Sequence, residues 1–271
     1  MSVEIKEYPP APVLCDFIDC YWHAVFPGSA DQVNEIKILP SGFVDLVLHR
    51  SLPNFELVLG GHLFYSPRFL LGGFWTAPYT ARFSDRIEVF SIRIKPEAMA
   101  SLFQVPAAQF VNNPADLTDV FSDEFVAFCC RIKDAENLNA CILMADSFFL
   151  QKACRVKHKN GHVHRASALI RKNGAISVGQ LSDEVCISRR QLERQFKQSL
   201  GISPKMYIRI SRMNRMLGLL KAEARTSLSQ LSSAAGYFDQ AHFIKDFREL
   251  AGEAPATFLG RSKNFSIRMN L

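Results

Sequence analysis

Apolar positions repeat themselves between Val178 and Phe258. Leu192, Phe196, Gly201 and Pro204 recur as Phe243, Phe247, Gly252 and Pro255, with spacings of four, five and three residues and a constant offset of 51. A repeat of this kind points to a duplicated supersecondary unit. In each copy the i, i+4 apolar pair predicts a buried helix face, the Gly a stop and the Pro a restart. With a short helix ahead of it, each copy predicts a helix-turn-helix.

In the first copy Ala166 to Lys172 reads as a helix closed by Asn173-Gly174. Ser177 caps a helix over Val178 to Val185, Cys186-Ile187 turns the chain, and Ser188 caps a second helix from Arg189 to Leu200. Leu192, Phe196 and Leu200 face inward, so Arg190, Glu193, Arg194 and Lys197 share the opposite face. In the second copy Leu228 and Leu231 belong to the leading helix, capped by Ser227 or Ser229. Gly236 makes the turn, Tyr237-Phe238 lead into the cap Asp239, and Gln240 to Ala251 forms the second helix. The offset maps the four polar positions onto Ala241, Ile244, Lys245 and Arg248. Between the copies Pro204 opens a long helix to about Ala224, apolar at Ile208, Met213, Leu217 and Leu220 and charged at Arg209, Arg212 and Arg215. At 1.5 Å per residue it spans roughly 30 Å, close to the roughly 34 Å between successive major grooves.

Upstream the period changes. Leu14, Phe17, Ile18 and Tyr21 predict a short helix over 14–22. Ile36 to His49 reads as strand, Pro40-Ser-Gly turn, strand. Phe55–Leu59, His62–Tyr65, Phe69–Leu71 and Ile87–Ile94 read as further strands, punctuated by Gly60-Gly61, Pro67, Gly72-Gly73 and Pro78. Pro96 fits the first turn of a helix that continues to Phe103. From Ser122 to about Lys157 two helical stripes follow: Phe125, Phe128, Cys129 and Ile132, then Leu138, Ile142, Ala145, Phe149 and Ala153. Such stripes serve either an internal core or a dimer seam. The expected fold class is α+β. A β-rich, barrel-like N-terminal domain with packed helices covers 1–156, β-rich over 1–95 and helical over 96–156. A linker covers 157–165, and an all-α domain with two helix-turn-helix units joined by a long helix covers 166–260.

Charge sharpens this picture. Residues 157–271 hold 20 Lys+Arg and 8 Asp+Glu, a net of +12, while residues 1–156 hold 12 and 18, a net of −6. A basic half joined to an acidic half points to a polyanionic partner for the first. Arg189, Arg190 and Arg194 at the start of a groove helix suit guanine O6 and N7, and Glu193 suits a cytosine amine. Gln240 suits adenine and Ile244 a thymine methyl. Lys245, Arg248, Lys197, Arg209 and Arg212 suit phosphate.

Other chemistry is sparse. The chain shows no G-x-S-x-G, Walker A, H-E-x-x-H or C-x-x-C pattern. Its seven cysteines (15, 20, 129, 130, 141, 154, 186) have no regular spacing and fit reduced thiols. His158, His162 and His164 with Cys154 lack the spacing of a known metal site and read as a basic linker. No signal peptide and no apolar stretch of spanning length is visible, so a cytoplasmic protein without a membrane partner is expected. No cofactor or metal is expected.

The stretch from about Ala166 to Phe258 resembles the DNA-binding domain of the AraC/XylS family of bacterial transcription regulators. The likeness rests on Gly236-Tyr-Phe-Asp-Gln-Ala-His-Phe-Ile-Lys-Asp-Phe-Arg248 with Gly252 and Pro255, and on Ser188, Leu192, Arg194, Phe196, Lys197, Gly201 and Pro204. It implies seven helices, two recognition helices and transcriptional control, an activator included. It implies base contacts from Arg189, Arg190, Glu193, Arg194, Gln240, Ala241, Ile244 and Lys245. Departures are Cys186 in place of a turn Gly, Met216 in place of Ala, and Gly218 inside the spacer. Tyr8-Pro-Pro, Phe17 to Trp22, Pro40-Ser-Gly-Phe-Val-Asp-Leu-Val47 and Arg93-Ile-Lys-Pro96 are similar to an uncharacterised module that precedes this domain in some family members.

The expectation is a sequence-specific, non-enzymatic regulator. Double-stranded operator DNA and RNA polymerase are its expected partners. A small-molecule effector and a homodimer are left open for the N-terminal domain. The competing readings are a DNA-anchored enzyme or redox- or alkylation-responsive protein using a Cys, and an architectural DNA binder without sequence preference.

Overall fold

In the computed structural model of the chain, the described residues are 4–28, 32–51, 55–156, 161–222, 232–233, 236–237 and 239–261. The N-terminal part builds two antiparallel sheets. One has six strands in the order β1 (Glu4–Tyr8), β2 (Ile18–Phe26), β9 (Ile87–Ile94), β4 (Val44–His49), β7 (Phe69–Phe74) and β10 (Ala115–Asp116). The other has four, in the order β3 (Asn34–Ile38), β8 (Tyr79–Phe83), β5 (Phe55–Leu59) and β6 (His62–Tyr65).

The six-stranded sheet is covered on both sides. On β9, Phe90, Ile92 and Ile94 join a core with the helices, while Ile87 and Val89 face the second sheet. On β4, Val44, Leu46 and Leu48 go to the helices, and Asp45, Val47 and His49 point into the space between the sheets. Strands buried on both faces read as near-continuous apolar runs, since alternation marks a strand with one wet face.

Two expectations are corrected here. The helix expected over 14–22 is a 3-10 turn at Pro12–Leu14 followed by strand β2. The register shifts between Ile18 and Cys20, and this bulge breaks the alternation of the strand so that its apolar residues imitate helical spacing. The hairpin expected over 36–49 does not pair with itself. β3 pairs with β8, β4 pairs with β7 and β9, and the Pro40-Ser-Gly turn carries the chain from one sheet to the other.

Behind the six-stranded sheet lie α1 (Met99–Phe103), α2 (Leu117–Val120), α3 (Asp123–Lys133) and α4 (Leu138–Cys154). Both expected stripes face inward, with Phe125, Phe128, Cys129, Ile132, Ala145, Phe149 and Ala153 buried. The C-terminal part follows as α5 (His162–Lys172), α6 (Val178–Glu184), α7 (Arg189–Leu200), α8 (Pro204–Ala222), α9 (Gln240–Ala251) and α10 (Pro255–Arg261). Helix α5 begins at His162, so residues 162–165 are helical, whereas the sequence pattern places them in a linker. His158, Ala224, Ser227, Leu228, Ser229, Leu231 and Phe238 lie outside the described residues. Among the described residues no helix is long and apolar enough to cross a membrane, and no group of three or more His, Cys, Asp or Glu could hold a metal ion.

The interior between the sheets is polar at a few points. Arg93, 1 % exposed, pairs with Asp45 (3.1 Å) and Glu7 (3.4 Å), and Trp22 Nε1 donates to Asp45 Oδ1 at 2.9 Å. His49 is fully buried, its Nε2 lies 3.2 Å from Ser66 Oγ, and its Nδ1 has no partner. Burial, helped by the charge of Arg68, lowers the imidazole pKa to about 4. The neutral ring is therefore favoured in the fold, while the unfolded chain takes up a proton below about pH 6.5. Stability is expected to fall by about 3 kcal/mol as the pH drops from about 6.5 to 4. Urea unfolding across that window checks this, and His49→Gln should remove that component of the slope. An unchanged slope in the variant would refute it.

Candidate nucleic-acid interface

The two copies of the sequence repeat fold alike. Helix α7 starts at a capping box in which Ser188 Oγ accepts from Gln191 N and the Gln191 side chain accepts from Ser188 N. It buries Leu192, Phe196 and Leu200 and stops at Gly201, whose φ of 75° is left-handed. Helix α9 starts at Asp239, which accepts from His242 N at 2.7 Å, buries Phe243 and Phe247, and stops at Gly252 with φ 73°. Pro204 and Pro255 then open the next helices. A left-handed C-cap lets the chain leave a helix at little cost when the residue has no Cβ.

In the first unit a second capping box, Ser177 with Gln180, starts α6. The turn to α7 passes through Cys186 with φ 58°, the conformation for which a glycine is usual. A non-glycine residue there stores about 1–3 kcal/mol of strain. The exposed side of α7 carries Arg189, Arg190, Glu193, Arg194 and Lys197, as the repeat predicts. Two of them are already oriented. The Arg189 guanidinium lies over Gly179 of α6, and Lys197 Nζ donates to Gly201 O at 2.7 Å at the far end of the helix. On α9, Gln240, Ala241, Lys245 and Arg248 are exposed, while Ile244 is half-buried against the core.

Arg209 and Arg212 are placed differently from the phosphate role expected of them. Arg209 on α8 donates from Nε to Asp246 Oδ1 (2.9 Å) and from Nη2 to Glu249, both on α9. Arg212 donates from Nε to Gly174 O (2.7 Å) and from Nη2 to Ala175 O (3.4 Å), and lies over the Tyr237 ring. Asp246 is buried, so its carboxylate requires such a partner. Both arginines thus fasten the spacer to the units at either side of it. The repeat hid this because Asp246 follows Lys245 on a helix that otherwise reads as amphipathic, and its partner lies 37 residues away.

The N-terminal part packs onto these helices. Arg171 of α5 donates from Nη1 to Glu97 Oε2 (3.1 Å) and to Tyr207 OH (2.7 Å), and from Nη2 to Glu97 Oε1. Lys37 of β3 pairs with Glu253 beyond α9 at 2.9 Å. Asn214 Nδ2 of α8 donates to Ser41 O at 2.6 Å. A Cβ on Gly201 would stand 2.5 Å from Val111 and 2.9 Å from Ala108, so this junction admits only glycine without movement. None of these contacts was legible in the sequence, since each joins residues far apart in the chain.

Residues 181–261 match a family described as a helix-turn-helix domain, and residues 6–116 match a domain of unknown function (DUF6597). The HTH-type transcriptional regulator ArgR of Pseudomonas aeruginosa is 34% identical over 80 residues, which are 30% of this chain and 24% of that protein. The bifunctional transcriptional activator/DNA repair enzyme Ada of Escherichia coli is 27% identical over 159 residues, 53% of this chain and 44% of that protein. The chain thus spans about a quarter of ArgR and under half of Ada. Among solved structures, apo ToxT of Vibrio cholerae is similar in fold, with a TM-score of 0.51 over 89% of this chain and 97% of that one at 11% identity.

Proposed function

We propose that this chain, whose residues 181–261 are an AraC-type helix-turn-helix domain, is a sequence-specific transcription regulator that reads operator DNA with α7 and α9. The observation that carries this reading is the doubled unit: two helices with matching caps, exposed polar faces and a 51-residue offset, on one continuous spacer. At about 1.5 Å per residue the 19 residues of α8 give about 28 Å, comparable with the roughly 34 Å between major grooves on one side of a duplex. Arg190, Glu193 and Arg194 are the base readers of the first unit, with Arg189 beside them. Gln240, Ala241, Ile244 and Lys245 serve the second, and Lys197 and Arg248 meet phosphate.

The experiment is selection of binding sites from random duplex DNA, followed by titration of variants. Arg194→Ala is expected to relax preference at one base pair by about 1–3 kcal/mol. Arg209→Ala is expected to lower the stability of the second unit while leaving the base preferences of the first intact. An unchanged preference profile for Arg194→Ala would remove that residue from the set of readers. Affinity that scarcely varies between sequences would favour an architectural binder instead.

RNA polymerase contact, activation, homodimer formation and a cytoplasmic location belong to the same reading. So does an effector-sensing role for the N-terminal part. No enzymatic activity is proposed, although Ada carries that function in its name. Burial raises the pKa of the Cys20, Cys129 and Cys141 thiols, which keeps them protonated and poorly nucleophilic.

A further inference from the structure

The space between the two sheets is nearly filled. Two cavities there hold about 30 Å³ each, and both are lined by Trp22, Ile38, Val47, Leu70 and Tyr79. A cavity of that size takes a water molecule, not a metabolite. A larger opening lies elsewhere, at the junction of the two parts, and has a volume of about 490 Å³. That is within the range of roughly 300–1,000 Å³ of small-molecule sites.

We propose that this cleft, between the Ser41–Phe43 turn and helices α5 and α8, binds a small organic anion. Two features set the ligand class. First, Lys172 and Arg215 are exposed in its lining and form no ion pair with any described residue. Two such cations around one opening make a site for a carboxylate or phosphate. Second, Phe43, half-buried, supplies aromatic surface for the body of the ligand. Asp19 is the one acid in the lining. Burial raises its pKa against the pull of Arg93, Lys95 and Arg171.

The turn is shaped for this position. Gly42 has φ +82°, and a Cβ there would stand 3.3 Å from Tyr207 and 3.5 Å from Ile210. The glycine thus lets the turn approach α8 closely beside Asn214. Because the turn belongs to the N-terminal part and α5 and α8 to the DNA-binding part, a ligand held there touches both. The proposal rests on the regulator reading and adds to it where an effector sits and of what chemistry.

The test is isothermal titration of the full chain with 4-hydroxybenzoate and with malate, two small organic anions. Saturable binding of at least one is expected. Lys172→Gln with Arg215→Gln should weaken it about tenfold or more, and circular dichroism should stay unchanged because both side chains are exposed. No saturation by either probe at about 10 mM overturns the proposal. So does equal binding of neutral 4-hydroxybenzamide, or binding indifferent to the Lys172 and Arg215 changes. DNA binding of the same chain is measured alongside. A chain that selects DNA sequences but binds neither probe loses the cleft and keeps the regulator reading. One that binds a probe but prefers no sequence does the reverse.

Discussion

Replacing Glu97 by Ala is expected to cost about 3–5 kcal/mol of stability, the cost of breaking a buried ion pair. The Glu97 side chain is 1 % exposed and accepts from both Nη atoms of Arg171, which also holds the Tyr207 hydroxyl. Without the carboxylate, the guanidinium remains between the sheet-and-helix part and the helix-turn-helix part, held by the neutral Tyr207 hydroxyl and by no carboxylate. The penalty comes from this stranded charge more than from the lost bond. Because the pair joins the two parts, the loss should appear as earlier separation of α5 and α8 from the 3-10 turn at Pro96–Ala98. Urea unfolding gives the magnitude, and hydrogen exchange of α5 gives the location. A loss under about 1 kcal/mol would mean that water reaches Arg171 and the pair behaves as a surface contact.

Arg93→Ala is expected to be of similar size, about 3–5 kcal/mol, through a different route. Arg93 is among the largest fully buried side chains, and it stands between the sheets against Asp45, Glu7 and the Phe43 ring. Its removal leaves the Asp45 carboxylate with Trp22 Nε1 as its remaining side-chain donor and opens a void where the guanidinium lay. The double change Arg93→Met with Asp45→Asn should recover much of the loss, because it removes both charges and keeps the volume. If the double variant is no more stable than Arg93→Ala, neither a stranded Asp45 charge nor the void accounts for the loss.

Local signals and long-range contacts are not equally legible. The repeat at Leu192/Phe243 and its partners is readable because a helix face depends on neighbours three and four residues away. Caps are readable for the same reason: Ser177, Ser188, Asp239, Gly201 and Gly252 act on backbone groups within four residues of themselves. Strand β2 reads as a helix because its bulge disturbs a two-residue alternation, and its true partners, β1 and β9, lie elsewhere in the chain. The Ser41–Gly42 turn reads as a hairpin because a turn signal does not say whether the strands it joins will pair.

The candidate interface divides in the same way. Arg190, Glu193, Arg194, Lys245 and Arg248 are exposed where helical spacing puts them. Arg209 and Arg212 carry the same charge and sit on an equally regular helix, yet they turn to Asp246, Gly174 and Ala175. The type and spacing of a residue state which face of a helix it occupies. They do not state what that face meets. The sequence by itself determined the helical units, their ends, their doubling and the charge they expose, because these follow from interactions within a turn or two. Only the tertiary structure decided which arginines remain available, how β3 and β4 part company, and that a cleft opens between the Ser41–Phe43 turn and α8. Those outcomes depend on groups brought together from distant positions, where burial forces each charge to find a partner and each backbone to find a neighbour.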